Sequence, residues 1–349
     1  MERIKKSITK SKELPPETPV TIVLLSGGLD SVLSLKIVLS QGLKVKGLNF
    51  ITPFLKEQKI VREQAEGFGI PLVTIRLGED YLDLVKRPKH GYGKHLNPCI
   101  DCRILMFKKA KALLRSKLSF IVTGEVLAQR PSSQYKNALL LIEKEAGLVG
   151  KVLRPLSAKV LPETIPEKQG LINREELLAI SGRSRKEQLK LAKNFGIKNY
   201  LSPAGGCLLT EKEFSLKLKD LFEHREKVEI SDIDLLKVGR HFRLSPETKL
   251  IVGRNERENS FLSSNSYLER NSRNYFLLET EGVPGPIGIL ESRNKDLIPL
   301  AARIVARYSD TQDFPSVSVN YWNSYNKAGV TVKPLNSVEK LKSLRIGSQ

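Results

Sequence analysis

Val20-Thr-Ile-Val-Leu-Leu25-Ser26-Gly27-Gly28-Leu29-Asp30-Ser31-Val32-Leu33 is the stretch on which the reading of this chain turns. Its first part, Val20–Leu25, is a short continuous apolar run, which predicts a strand buried on both faces. Its second part, Asp30–Gln41, has helical spacing and ends before Gly42, which predicts a helix with a glycine stop. Between them, Ser26–Ser31 forms a tight turn. Without a Cβ, Gly27 and Gly28 let the backbone close on a bound group. The helix N-terminus that follows supplies free N–H groups and the positive end of the dipole, both suited to a phosphate. Ser26 and Ser31 add hydroxyl donors, and Asp30 is placed to hold Mg²⁺ or orient phosphates. No Gly-Lys-Ser/Thr follows, so this is not a Walker A loop. The plain alternative is an ordinary glycine turn with a serine cap.

The alternation continues outward. Lys44–Phe50, Leu72–Arg76, Phe120–Thr123 and Lys151–Pro155 are predicted strands. Glu57–Phe68, Cys102–Arg115 and Ala138–Ala146 are predicted helices. Strands alternating with helices predict an α/β fold, a doubly wound parallel sheet with ligands at the carboxyl ends of its strands. From about 165 to 225 the pattern turns helical. Asn173–Glu176 and Ser184–Glu187 resemble capping boxes, and Glu211–Arg225 is an amphipathic helix. Beyond 230, Lys249–Val252, Tyr275–Leu278, Ile287–Leu290 and Val317–Trp322 are strand-like, whereas Glu256–Tyr267 and Lys295–Tyr308 are helix-like. These predict a smaller C-terminal α+β domain. The expected organisation is a polar lead-in (1–18), a nucleotide-binding catalytic domain (19–165), a helical extension carrying the third cysteine (166–228), the C-terminal domain (229–335) and a tail (336–349).

At 349 residues the chain exceeds one ordinary domain. Its net charge of +20 favours a polyanionic partner, nucleic acid above all, although a basic, heat-adapted surface has the same composition. No apolar h-region opens the sequence, and no apolar run has membrane length. The odd, low count of three cysteines argues against a disulfide framework, so a cytoplasmic protein without a membrane anchor is expected.

The Ser26–Ser31 string resembles the signature of the PP-loop ATP pyrophosphatases, whose fold is adenine nucleotide alpha hydrolase-like. The resemblance implies ATP and Mg²⁺, cleavage between the α and β phosphates, and an adenylated acceptor. It does not choose among the amide-forming and thiolating members.

The cysteines narrow the choice. Asn97-Pro-Cys99-Ile-Asp101-Cys102 leads into a helix, and Cys207 follows far downstream in Ser202-Pro-Ala-Gly-Gly-Cys207. A helix start lowers thiol pKa and suits thiolate chemistry. Three inert packed cysteines are one alternative; a zinc site with His95 as fourth ligand is another. The pattern is similar to PP-loop tRNA thiolases. Those of the MnmA type carry Asn-Pro-Asp-x-x-Cys, with Cys99 here in the aspartate position. The two-plus-one spacing also resembles thiolases that hold a 4Fe–4S cluster. Two sulfur routes stay open: a cluster on Cys99, Cys102 and Cys207, or a persulfide on one cysteine resolved by a second. Three thiols are one more than a simple relay uses, which favours the cluster. Asp101 reads equally as a general base or a cap.

Thr123–Gln134 resembles the matching string of the 4-thiouridine synthetase (ThiI) catalytic domain, as does Arg154-Pro-Leu156. That assigns Gly124, Gln129 and Arg130 to ATP. Gly239–Arg243 and Leu250–Asn259 resemble the NFACT-R module, which implies RNA binding. Arg240, Arg243, Arg254 and Arg257, with Arg183 and Arg185, are the expected RNA contacts. Together the resemblances imply ATP-dependent tRNA thiolation to 4-thiouridine, with 2-thiouridine as the alternative product. The sulfur donor would be a cysteine desulfurase persulfide or sulfide, and a homodimer stays open. A PP-loop amide ligase and a non-catalytic RNA-binding adaptor are the readings from other classes.

Overall fold

The computed structural model describes residues 20–55, 59–201, 206–264, 275–292, 294–311 and 314–347. The expected lead-in, residues 202–205 before Cys207 and the end of the helix expected over 256–267 lie outside these. The described residues fall into two compact units. One runs to Gly206; the other begins at Cys207 and also takes in Lys94–Leu96.

The first unit contains β1 (Thr21–Leu24), α1 (Leu29–Ser40), β2 (Val45–Ile51), α2 (Lys59–Gly67), β3 (Leu72–Arg76) and α3 (Glu79–Lys86). Then come α4 (Cys99–Lys111), β4 (Phe120–Val122), α5 (Lys136–Ala146), β5 (Val152–Leu153), α6 (Ile165–Lys168) and α7 (Lys186–Asn194). The strands form one sheet in the order β3-β2-β1-β4-β5, with every pair parallel. The chain therefore steps outward from β1 to β3, then crosses back to lay β4 on the other side of β1. That reversal opens a crevice at the carboxyl ends of β1 and β4.

Both faces of the sheet are covered, which explains the continuous apolar runs. Val23, Phe120 and Val122 point into a core with Leu29, Leu33 and Ile37 of α1. Ile22, Leu24 and Ile121 point the other way, onto Ile104 and Phe107 of α4 and Ile142 of α5. The expected parallel α/β sheet is thus present. Helix α4 begins at Cys99, three residues before the expected start, so both cysteines of the pair stand on its first turn. Asn173 caps only a 3₁₀ turn, Arg174–Glu176, by accepting from the Glu175 N–H.

The second unit contains α8 (Lys212–His224), α9 (Ile230–Leu236), β6 (Arg240–Ser245), β7 (Thr248–Val252), α10 (Glu256–Ser263) and β8 (Tyr275–Thr280). It continues with β9 (Gly288–Glu291), α11 (Ile298–Arg307), β10 (Val317–Trp322), β11 (Lys327–Val332) and α12 (Val338–Leu344). Its sheet is antiparallel, ordered β11-β10-β8-β9-β7-β6. Ala301, Ala302 and Val305 of α11 pack with Leu250, Phe276, Leu278, Leu290 and Val319 of the sheet. Among the described residues no helix is long and apolar enough to cross a membrane.

Candidate functional site

The loop after β1 is built by its two glycines and two serines. Gly27 has φ +77°, the left-handed region that favours glycine. Its carbonyl accepts from Leu201 N at 2.9 Å and from Gln64 Nε2 at 3.1 Å, which fixes the turn from outside. Ser31 Oγ donates to Gly28 O at 2.8 Å and accepts from Ser26 N at 3.3 Å. The serines therefore brace the turn, and Ser26 is exposed at its rim. Asp30, the acidic residue in the first turn of α1, takes a hydrogen bond from Gln129 Nε2 at 2.7 Å on one oxygen. Arg185 lies 3.4 Å from that same oxygen. The other, Oδ1, is buried and has no hydrogen-bond partner among the described residues.

The segment after β4 forms the facing wall. A Cβ on Gly124 would come within 2.5 Å of Ser31 N and 2.6 Å of Asp30 C, so this position brings β4 directly against the first turn of α1. Ala128 and Ser132 both have positive φ, 59° and 74°, without being glycine. Such backbone persists only where the surroundings impose it, as functional loops do. Here it aims buried Gln129 at Asp30, while Gln188 Nε2 of α7 donates to Gln129 Oε1 at 2.9 Å. Arg130, next in the chain, reaches solvent as a residue, but its guanidinium is crowded. Burial and then the like charge of Arg103 push its pKa below the ordinary arginine value. The charges it feels include Arg103, Cys99, Arg185 and Asp30.

The two thiols of α4 differ. Cys99 Sγ donates to Asn97 Oδ1 at 2.9 Å. Cys102 Sγ sits 3.3 Å from Tyr81 Oη, and burial pushes its thiol pKa up against the pull of that hydroxyl and of Arg103. Asp101 points elsewhere. Its oxygens accept from His90 N at 2.9 Å and face His90 Nδ1 at 2.9 Å, while His90 Nε2 faces Glu145 Oε1 at 3.0 Å. This acid anchors the segment before α4 and touches no thiol.

The comparisons with known proteins fall on these same segments. Residues 18–160 match the family model for thiamine biosynthesis protein (ThiI), and residues 239–344 match that for the NFACT protein RNA binding domain. One stretch of the chain is thus similar to ThiI and a second to an NFACT RNA-binding domain. The ThiI match spans the Ser26–Ser31 turn, Cys99, Cys102 and the Gly124–Arg130 wall. No curated protein sequence matches the chain. Among solved structures, a 4-thiouridine synthetase–RNA complex with bound ATP is 22% identical, with a TM-score of 0.33, covering 51% of this chain and 52% of that one. A predicted subunit of tRNA methyltransferase from Methanocaldococcus jannaschii is 16% identical, TM-score 0.32, covering 54% and 95%. The C-terminal part of a fibronectin/fibrinogen-binding protein from Streptococcus suis is 13% identical, TM-score 0.26, covering 52% and 84%.

The arginines expected to contact RNA have separate fates. Within the RNA-binding domain, Arg240 lies over the Tyr308 ring, 4.4 Å from its centroid, and donates to Gly253 O. Arg243 is tied to Asp220 through Nε at 3.0 Å and a second nitrogen at 2.7 Å, and Lys249 joins the same carboxylate. Arg254 pairs with Glu258. Arg257 is exposed, as is Arg183 in the unit that holds the ThiI domain. Arg185 belongs with Asp30 at the glycine turn.

Cys207 lies in the second unit, where its carbonyl accepts from Thr210. Among the described residues no group of three or more His, Cys, Asp or Glu side chains is placed to hold a metal ion. Among the described residues none of the three cysteines is in a disulfide. The sequence reading missed Arg103, Gln188 and Gln64. Arg103 follows Cys102 directly, a signal that was available. The two glutamines meet the turn from far along the chain, and nothing local marks them.

Proposed function

We propose that the chain is an ATP-dependent tRNA sulfurtransferase that adenylates a uridine and replaces its O4 with sulfur, forming 4-thiouridine at tRNA position 8. One observation carries this reading: Arg103, on the same helix as Cys99 and Cys102, lies 3.4 Å from Glu125, the residue after the Gly124 that abuts Asp30 and Ser31 of the phosphate turn. That supports a common site for a group suited to phosphate and a group suited to sulfur.

The Ser26–Ser31 turn and the start of α1 receive the ATP phosphates, and Arg103, Arg130 and Arg185 balance their charge. Asp30, with a buried oxygen lacking a partner among the described residues, fits a hard cation; bound Mg²⁺ would neutralise charge on the phosphates. Uridine O4 attacks the α-phosphorus, the bond to the bridging oxygen breaks, and pyrophosphate leaves. O4 is now part of a phosphate ester, so AMP becomes a competent leaving group at C4. A cysteine desulfurase loads a persulfide on Cys99, where the arginines stabilise anionic sulfur. The terminal sulfur attacks C4 and AMP departs with O4. A second thiol of the chain attacks the inner sulfur. A cysteine disulfide forms and the thiocarbonyl is released; an external thiol reductant reopens the disulfide. The RNA-binding domain supplies the grip on tRNA.

The test is reconstitution with ATP, Mg²⁺, tRNA, cysteine and a cysteine desulfurase, followed by nucleoside mass spectrometry and pyrophosphate measurement. Expected are tRNA-dependent pyrophosphate release and 4-thiouridine. Cys99→Ser keeps the first and loses the second. A 2-thiouridine product would move the assignment to that alternative. Pyrophosphate release that is indifferent to tRNA would overturn the reading.

A further inference from the structure

The RNA-binding unit holds a small cavity that none of the matched motifs accounts for. It has about 30 Å³ open to the centre of a water-sized sphere. That is more than one water needs, roughly 10–15 Å³ on this measure. Lys217 of α8, Arg240 at the start of β6, Arg254 after β7 and Arg345 after α12 line it, with Glu213 as the opposing carboxylate. Lys217 and Glu213 lie upstream of the segment matching the NFACT domain, so α8 adds to that domain a wall the match does not include.

The cations differ in how far they are already used. Among the described residues no carboxylate lies within 4 Å of Lys217; its ammonium donates only to Gly239 O, at 3.4 Å. Arg345 is exposed and its guanidinium is in no ion pair among the described residues. Arg240 spends one N–H on Gly253 O and lays its face on Tyr308. Arg254 is already balanced by Glu258. His241, also lining the cavity, is fully buried and kept neutral, by burial first and then by Lys249 and Lys217, so it adds no charge. The cavity therefore holds surplus positive charge in a desolvated setting, where an anion gains most.

We propose that this cavity is a phosphate site, in which Lys217 and Arg345 close on the oxygens of a phosphate group. RNA as its source rests on the RNA-binding reading; the phosphate chemistry does not. Burial and then Arg254 lower the Lys217 pKa to about 8, and Glu213 and Glu258 offset only part of that. The phosphate is either an internal RNA phosphodiester or a terminal phosphomonoester.

Inorganic phosphate titrated into the full-length protein and followed by ³¹P line broadening tests the chemistry. Anisotropy of labelled single-stranded RNA with a 5′-hydroxyl or a 5′-phosphate tests the source. Expected at pH 7 is phosphate binding weakened at least about tenfold by Lys217→Gln or Arg345→Gln and retained by Lys217→Arg. A loss for both RNAs assigns a phosphodiester; a loss for the 5′-phosphorylated RNA alone assigns a monoester. Phosphate binding that is absent, together with RNA affinities unchanged in Lys217→Gln, overturns the site while leaving RNA binding intact. Phosphate binding sensitive to Lys217 in a protein that ignores RNA keeps the site and sinks RNA as its source. Matching thermal melts of the variants exclude misfolding.

Discussion

Gly124 shows how one residue can set the crevice. Any side chain there runs into the backbone of Asp30 and Ser31 at 2.5–2.8 Å, so β4 and α1 would have to part. Gly124→Ala is expected to cost about 1–3 kcal/mol of stability, as overpacking does, and to weaken ATP binding more than it slows turnover. Chemical denaturation and a KM–kcat comparison check this. Lys217 supports a prediction with a defined sign. Its folded pKa, about 8, lies below the ordinary lysine value of 10.5, so between those values the unfolded chain binds more protons and this residue's contribution to stability rises with pH. Below pH 8 it carries a penalty of up to about 3 kcal/mol. Lys217→Met should therefore raise the melting temperature at pH 7, and the gain should vanish by about pH 10.5. The groups facing Lys217 are Arg254, Glu213, Lys249 and Glu258. An anion added among them restores the ammonium, so phosphate affinity should fall as pH rises past about 8.

At the scale of elements, Arg154 holds the β4 wall in place. Only 4% of its side chain is exposed, and it donates to Glu125 at 3.1 Å and to Glu143 of α5 at 2.5 Å. Among the described residues, Arg154→Leu leaves Glu143 with only the Gly150 N–H and Glu125 with only Arg103, 3.4 Å away, and is expected to cost about 3 kcal/mol, measured by urea unfolding. The central strands β1 and β4 were legible because burial on both faces makes them continuous apolar runs. Helix α3 was not, since its buried Tyr81, Leu82 and Val85 lie among Glu79, Asp80, Asp83 and Lys86. Strand β6 was hidden by Arg240, His241 and Arg243, whose polarity masks a strand that buries the adjacent His241 and Phe242, one on each face. Strand β11 is an edge strand, mostly exposed, with little to alternate. The phosphate turn was readable because its chemistry is local. Its outer supports were not: Gln64 reaches Gly27 across 37 positions and Gln188 reaches Gln129 across 59.

Over the whole molecule, the net charge of +20 predicts that tRNA affinity falls linearly with the logarithm of salt concentration. A filter-binding series across salt measures the slope, and Arg257→Gln should reduce it by about one unit if that side chain neutralises a phosphate. The ionic pairing of Arg243 with Asp220 and of Arg254 with Glu258 means that composition overstates the cations free to meet RNA. The placement of β1 between β2 and β4, with the Gly27 carbonyl held by Leu201, also bears on biosynthesis. A ribosome makes the phosphate turn early, yet the neighbours that shape it emerge roughly a hundred and then nearly two hundred codons later. A stalled nascent chain cut short of Leu201 should consequently fail to capture nucleotide, and competence should arrive abruptly with the final strap rather than accrue with length.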